Sequence, residues 1–77
     1  MARITVNGSE VFQIPRKNFC IGYTSAGYTL NYSADGVNWT AWEKATAQNV
    51  NQIVENAPLN MYYKLAGNSQ DGIVITY

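Results

Sequence analysis

The sequence predicts an all-β protein: one small sandwich of seven to eight short antiparallel strands, in a single domain spanning residues 1–77. Three observations lead there. The run Tyr28 to Trp42 reads as two strands joined at Asp35-Gly36, a dipeptide that favours tight hairpin turns because Gly takes positive φ at no steric cost. Strand-like runs recur along the chain between Gly, Pro, Asn and Ser turn signals. Within those runs apolar residues alternate, which marks strands with one buried face.

In chain order, the first strand is Ala2 to Val6, closed by the turn Asn7-Gly8. Glu10 to Ile14 stops at Pro15, which has no N–H for a ladder. Asn18 to Tyr23 runs into Ser25-Ala26-Gly27. The hairpin arms are Tyr28 to Ser33 and Val37 to Lys44, with an irregular loop after them. Asn51 to Glu55 is read as a strand, although Val50, Ile53 and Val54 are also spaced as on a helical face; Pro58 and the dense strands around it argue against a helix. Met61 to Ala66 precedes the turn at Gly67-Asn68-Ser69-Gln70, and Ile73 to Tyr77 is the last strand.

Alternation assigns the core. The inward sets are Ile4 and Val6; Phe19, Ile21 and Tyr23; Tyr28, Leu30 and Tyr32; Met61, Tyr63 and Leu65; and Ile73, Ile75 and Tyr77. Trp39 and Trp42 fall on opposite faces, so one is expected inside and the other outside. Trp42 and Tyr62 are placed on outer faces. The last strand is expected to be paired on both sides, with Tyr77 at its rim; at a sheet edge it would instead offer unpaired backbone to another chain.

Composition narrows the function classes. Charged residues are 13% of the chain and the formal net charge is zero. Nucleic-acid binding calls for a basic face, and Arg16-Lys17 is the only adjacent basic pair. No apolar stretch approaches the length of a membrane span, and Met1-Ala2-Arg3 leads directly into a strand with no signal-peptide pattern. The expected origin is therefore a cytoplasm, and the triplets at Asn7, Asn31 and Asn38 are read as chance matches to the glycosylation signal. A chain of 77 residues buries a small core, with one cysteine and so no internal disulfide. Association with itself or a larger assembly would add stability.

The same inventory speaks against catalysis, metals and cofactors. There is no His to act as a general base, and a zinc site has too few ligands. Cys20 lies between Phe19 and Ile21 and is expected to be a buried, inert thiol. The carboxylates Glu10, Asp35, Glu43, Glu55 and Asp71 are scattered. Asp35 and Asp71 each precede Gly, which is turn chemistry before it is a calcium site. The aromatic content, six Tyr, two Trp and two Phe, suits either core packing and interfaces or stacking on sugar rings.

Two resemblances sharpen this. The run Tyr32-Ser33-Ala34-Asp35-Gly36-Val37-Asn38-Trp39-Thr40 is similar to a hairpin of discoidin-type (coagulation factor 5/8 C-terminal) domains, β-sandwiches that often bind glycans or lipid head groups. The segment Asn56 to Asn68, with the terminal Ile73-Val74-Ile75-Thr76-Tyr77, looks like the last two strands of small immunoglobulin-like modules. With the hairpin before it, the chain resembles the small immunoglobulin-like accessory proteins of tailed bacteriophage virions, capsid decoration and head-fibre proteins, crAss-like phages included. That resemblance implies an immunoglobulin-like sandwich with no enzyme activity and no cofactor, resident in the virion. Its partner would be the major capsid protein or another virion protein, with surface glycans as a further contact and self-association allowed. The expected docking residues are Trp42, Tyr62 and Tyr77. A carbohydrate-binding module using exposed aromatics is the alternative reading.

Overall fold

The computed structural model describes residues 2–25, 27–47 and 51–77, with the backbone alone for 43–47. The described residues form eight strands: β1 Arg3–Val6, β2 Phe12–Gln13, β3 Phe19–Ile21, β4 Tyr28–Ser33, β5 Thr40–Ala47, β6 Gln52–Val54, β7 Tyr62–Ala66 and β8 Ile73–Thr76. They make two antiparallel sheets. Sheet A has the order β1-β8-β3-β6 and sheet B the order β2-β7-β4-β5.

The pairing has a simple logic. β1 pairs with β8, β2 with β7, β3 with β6 and β4 with β5. The chain is one long hairpin, doubled back at the loop after Ser33 and then rolled so that alternate rungs fall into opposite sheets. Two further ladders, β3 with β8 and β4 with β7, close the roll. This is the jelly-roll arrangement of an antiparallel sandwich. The all-β sandwich is therefore as expected, but its connectivity is not that of an immunoglobulin domain. Of the six ladders, only β4–β5 joins strands that follow one another in the chain.

The strand bounds follow the sequence closely at β4, which spans Tyr28–Ser33 as expected. β5 begins at Thr40 rather than Val37 and extends to Ala47, beyond Lys44. Its shift follows from the loop before it, described below. The expected strand over Asn51 to Glu55 is β6, three residues long; Val50 lies outside the described residues.

The core sits between the sheets. Sheet A contributes Val6, Phe19, Ile21, Val54, Ile73 and Ile75; sheet B contributes Phe12, Tyr28, Leu30, Tyr63 and Leu65. Each set alternates along its strand, as period-two geometry requires. Tyr63 is the centre of an aromatic group. Its ring stacks on Phe12 at 5.9 Å and meets Phe19 edge-on at 5.5 Å, while its hydroxyl donates to the Pro58 carbonyl at 2.6 Å. Tyr28 is also buried, and desolvation pushes its phenol up to about 12, with the neighbouring Cys20 adding to the rise. Tyr23 was expected inside; β3 ends at Ile21, two residues before it, and Tyr23 is exposed.

At one end of the sandwich, Asn68 ties two loops together. Its side-chain amide donates to the carbonyls of Gly8 and Gln70, both at 2.8 Å, and its oxygen accepts from Gln70 N–H. Asn7 makes the reciprocal tie by accepting from Gly72 N–H. A buried asparagine so fully paired holds the β1–β2 turn against the β7–β8 turn.

Candidate functional site

Three places were open from the sequence: the Asp35 loop, the aromatic outer face and the last strand. The structure separates them clearly.

The loop at Asp35 is not a two-residue turn. Gly36 has φ of +77°, as a turn glycine should, but Asp35 has negative φ and six residues separate β4 from β5. Side chains organise this loop. The Asp35 carboxylate accepts from the backbone N–H of Val37 and Asn38, from the Ser33 hydroxyl and from the Asn38 amide, at 2.8–2.9 Å. Ser33 is buried, and its hydroxyl accepts from Gly36 N–H in turn. The Tyr62 ring packs beneath Gly36; a Cβ there would lie 3.7 Å from the ring. A hollow of about 240 Å³ lies beside the loop, lined in part by Tyr32, Asn38 and Met61.

These four donors hold the Asp35 carboxyl well below its ordinary value of 3.8, the Asn38 and Val37 backbone N–H groups contributing most. Both carboxylate oxygens are occupied by donors, so this is a loop-ordering acid and not a vacant ligand set. Among the described residues, no cluster of three or more His, Cys, Asp or Glu could hold a metal ion. A depressed folded-state pKa means that Asp35 supports the fold above the unfolded carboxylate pKa, and that this support fades as pH falls from about 4 toward the lower folded value. Asp35→Asn is therefore expected to flatten the acid dependence. Urea midpoints measured near neutrality and at about pH 3 check this; equal slopes for both proteins would remove Asp35 from the linkage.

The outer face of sheet B carries Tyr62 and Lys64 from β7 and Asn31 from β4, which pairs with Lys64 in the register. Trp39, at the loop's end, is half-buried with the Lys64 ammonium 4.4 Å from its ring centre. Tyr62 is thus on an outer face, as expected. Trp42 is not. It pairs with Leu30 in the register, so it shares the core-side face. It is half-buried against the core and meets Tyr32 edge-on at 6.2 Å. The two tryptophans do lie on opposite sides, as expected, Trp42 toward the core and Trp39 outward beside Lys64. A three-residue slip on β5, between the pairs Thr29–Thr46 and Leu30–Trp42, sets this register.

The last strand, β8, lies between β1 and β3 and is paired on both sides. This is the paired position expected from the sequence, and the alternative of an open edge falls with it. Tyr77 sits at its rim, partly packed on the core, with backbone bonds to Ala2 at 2.8 and 2.9 Å. It does, however, help line a different feature. On the outer face of sheet A, Arg16, Asn18, Phe19, Cys20, Ile53, Thr76 and Tyr77 surround an open, apolar hollow of about 690 Å³.

Cross-strand register explains that hollow. One row crosses the whole sheet: Arg3 pairs with Thr76, Thr76 with Cys20 and Cys20 with Ile53. Side chains in such a row point to the same side and stand about 5 Å apart. Here that side is outward, because the flanking Ile4, Ile75 and Ile21 take the core side. Cys20 is consequently a partly exposed thiol, not the buried one expected. Ile53 is 67% exposed on edge strand β6, and Val74, next along β8 on the same face, is 39% exposed. Sequence reasoning missed both because Cys20 was read as buried and Ile53 was assigned no face; alternation against Phe19 and Val54 was the available signal.

Comparison with known proteins places no relative beside this arrangement: no protein family, curated protein or solved structure matches the chain.

Proposed function

We propose that the protein is a non-enzymatic structural module that docks on a larger protein assembly, and that this assembly is a viral capsid. The observation that carries the docking reading is the outer face of sheet A. An exposed isoleucine on an edge strand, beside an apolar hollow, is a surface that marks contact with another protein. With 13% charged residues and zero net charge, this chain does little to keep neighbours away. The jelly-roll architecture recurs in viral capsid domains, which supports the capsid half by analogy of fold alone.

In this reading the hollow near Tyr77 and Ile53 seats on the assembly, Tyr62 faces away from it on the opposite sheet, and Trp42 stabilises the sandwich from within. The test is co-sedimentation of purified protein with capsids of the virus that encodes it. Saturable binding at a fixed ratio to capsid subunits is expected. Protein that stays in the supernatant at all ratios overturns the capsid reading.

A second reading rests on a separate observation. Trp39, Tyr62 and Lys64 form an aromatic and cationic strip on the outer face of sheet B, the kind of surface on which a sugar ring stacks. It predicts glycan-array binding that Trp39→Ala abolishes and Trp42→Phe leaves intact.

A further inference from the structure

We infer that the outer face of sheet A takes an extended peptide segment that is apolar at its centre and acidic at its flanks, supplied by the partner protein. This rests on the docking reading above and names the surface and the chemistry of its occupant.

Charge complementarity carries the inference. The row that floors the face runs from the Arg3 guanidinium at one edge, through Thr76 and Cys20, to Ile53 at the other. Arg16 lines the same hollow and is exposed. Among the described residues, neither arginine is held by an ion pair or a side-chain hydrogen bond. With Arg16 at the hollow and Arg3 at the far edge of the same face, both unengaged, an apolar segment with carboxylates at its ends is favoured, since Arg recognises carboxylates through a bidentate fork.

The length of the row argues for an extended segment. Arg3 and Ile53 stand at opposite edges of the four-stranded sheet A. Three strand spacings of about 4.8 Å separate them, a distance that about four or five extended residues cover. Such a segment lies across the strands, with its apolar centre over Thr76 and Cys20 and the hollow beside Ile53.

The test is an NMR titration of the isotope-labelled protein with two synthetic peptides that share a Val-Ile-Val centre. One has Glu flanks and the other Lys flanks. The acidic peptide is expected to shift the amides of Cys20, Ile53 and Thr76 saturably. The basic peptide is expected to bind at least about tenfold more weakly, the difference shrinking as salt screens it. The double variant Arg3→Glu/Arg16→Glu should reverse the preference; both residues are exposed, so its unperturbed spectrum serves as the folding control. Ile53→Asp should abolish binding of either peptide.

Equal binding of the two peptides, shifts confined to the Tyr62 and Lys64 face, or no shift from the acidic peptide at millimolar concentration would each overturn the inference. Vesicles of phosphatidylcholine with phosphatidylglycerol provide the remaining arm. If they shift the same amides and the acidic peptide does not, the face is a lipid contact and the inference fails. Acidic-peptide binding by a protein that ignores capsids would preserve this surface while removing the capsid as its partner, so the two failures can be told apart.

Discussion

Tyr63→Ala is expected to leave the protein largely unfolded in water. Tyr63 is fully buried and joins three parts of the core: Phe12 on β2, Phe19 across the sandwich on β3, and the Pro58 carbonyl in the loop before its own strand. Truncating a buried aromatic costs about 3–5 kcal/mol in lost burial and cavity formation. It would also strip the Pro58 carbonyl of its hydroxyl donor. A core of this size supplies only about 3–5 kcal/mol of net stability. Tyr63→Phe isolates the hydrogen bond and is expected to cost about 1 kcal/mol. Circular dichroism with urea titration distinguishes the two variants. A Tyr63→Ala protein that still unfolds cooperatively, near the parent midpoint, would show that this aromatic group is not central to the fold.

Gly22→Ala is the second substitution expected to have a large effect, and it acts through backbone. Gly22 follows β3 and donates to the Val74 carbonyl at 2.7 Å. A Cβ at this position would lie 2.7 Å from that same oxygen and 3.6 Å from the Val74 carbonyl carbon and nitrogen. The obstructing atoms belong to the middle of β8, which is held by β1 on its far side and cannot move away alone. Relief requires spreading the β3–β8 ladder at its end and losing the hydrogen bond. Overpacking of this kind and one lost bond together cost about 2–4 kcal/mol. A lower urea midpoint at unchanged m-value is the expected readout. A midpoint within error of the parent would mean that the ladder yields easily there.

The elements were far more legible in the sequence than their arrangement. β4 could be read to the residue because Tyr28, Leu30 and Tyr32 alternate with polar neighbours and a turn follows. Asp35-Gly36 correctly located the reversal between β4 and β5, but not its form. Ser33 lies inside the strand yet spends its hydroxyl on the loop, and the carboxylate binding two successive N–H groups delays β5 until Thr40. Local propensity tables do not contain that competition between side chain and ladder. Trp42 shows a second limit. Period-two reading put the two tryptophans on opposite faces, but which face is inward depends on pairing with Leu30 across the hairpin, after a slip in register.

The candidate site was the least legible part. Cys20 and Ile53 lie far apart in the chain and become one row only through the β3–β6 ladder. Arg3 and Thr76 join them through partners nearly a chain length away. Nothing in a linear pattern brings these four residues together. The enclosed last strand with Tyr77 at its rim was legible from the sequence, but the hollow that Tyr77 reaches from that rim was not.

The position of β8 also bears on how quickly the native state can form. Among the described residues β1 has no other partner in its sheet, so its backbone groups wait on residues 73–76, far along the chain. β2 waits in the same way on β7. Such a topology has high contact order: the loop entropy of nearly the whole chain is spent before the outermost ladder returns any free energy. Folding on the millisecond-to-second scale follows, about the slow end for a domain this small. Nucleation is best placed at the β4–β5 reversal, where the side-chain hydrogen bonds of Asp35 and Ser33 span only a few residues, and pairing then propagates outward toward β1 and β8.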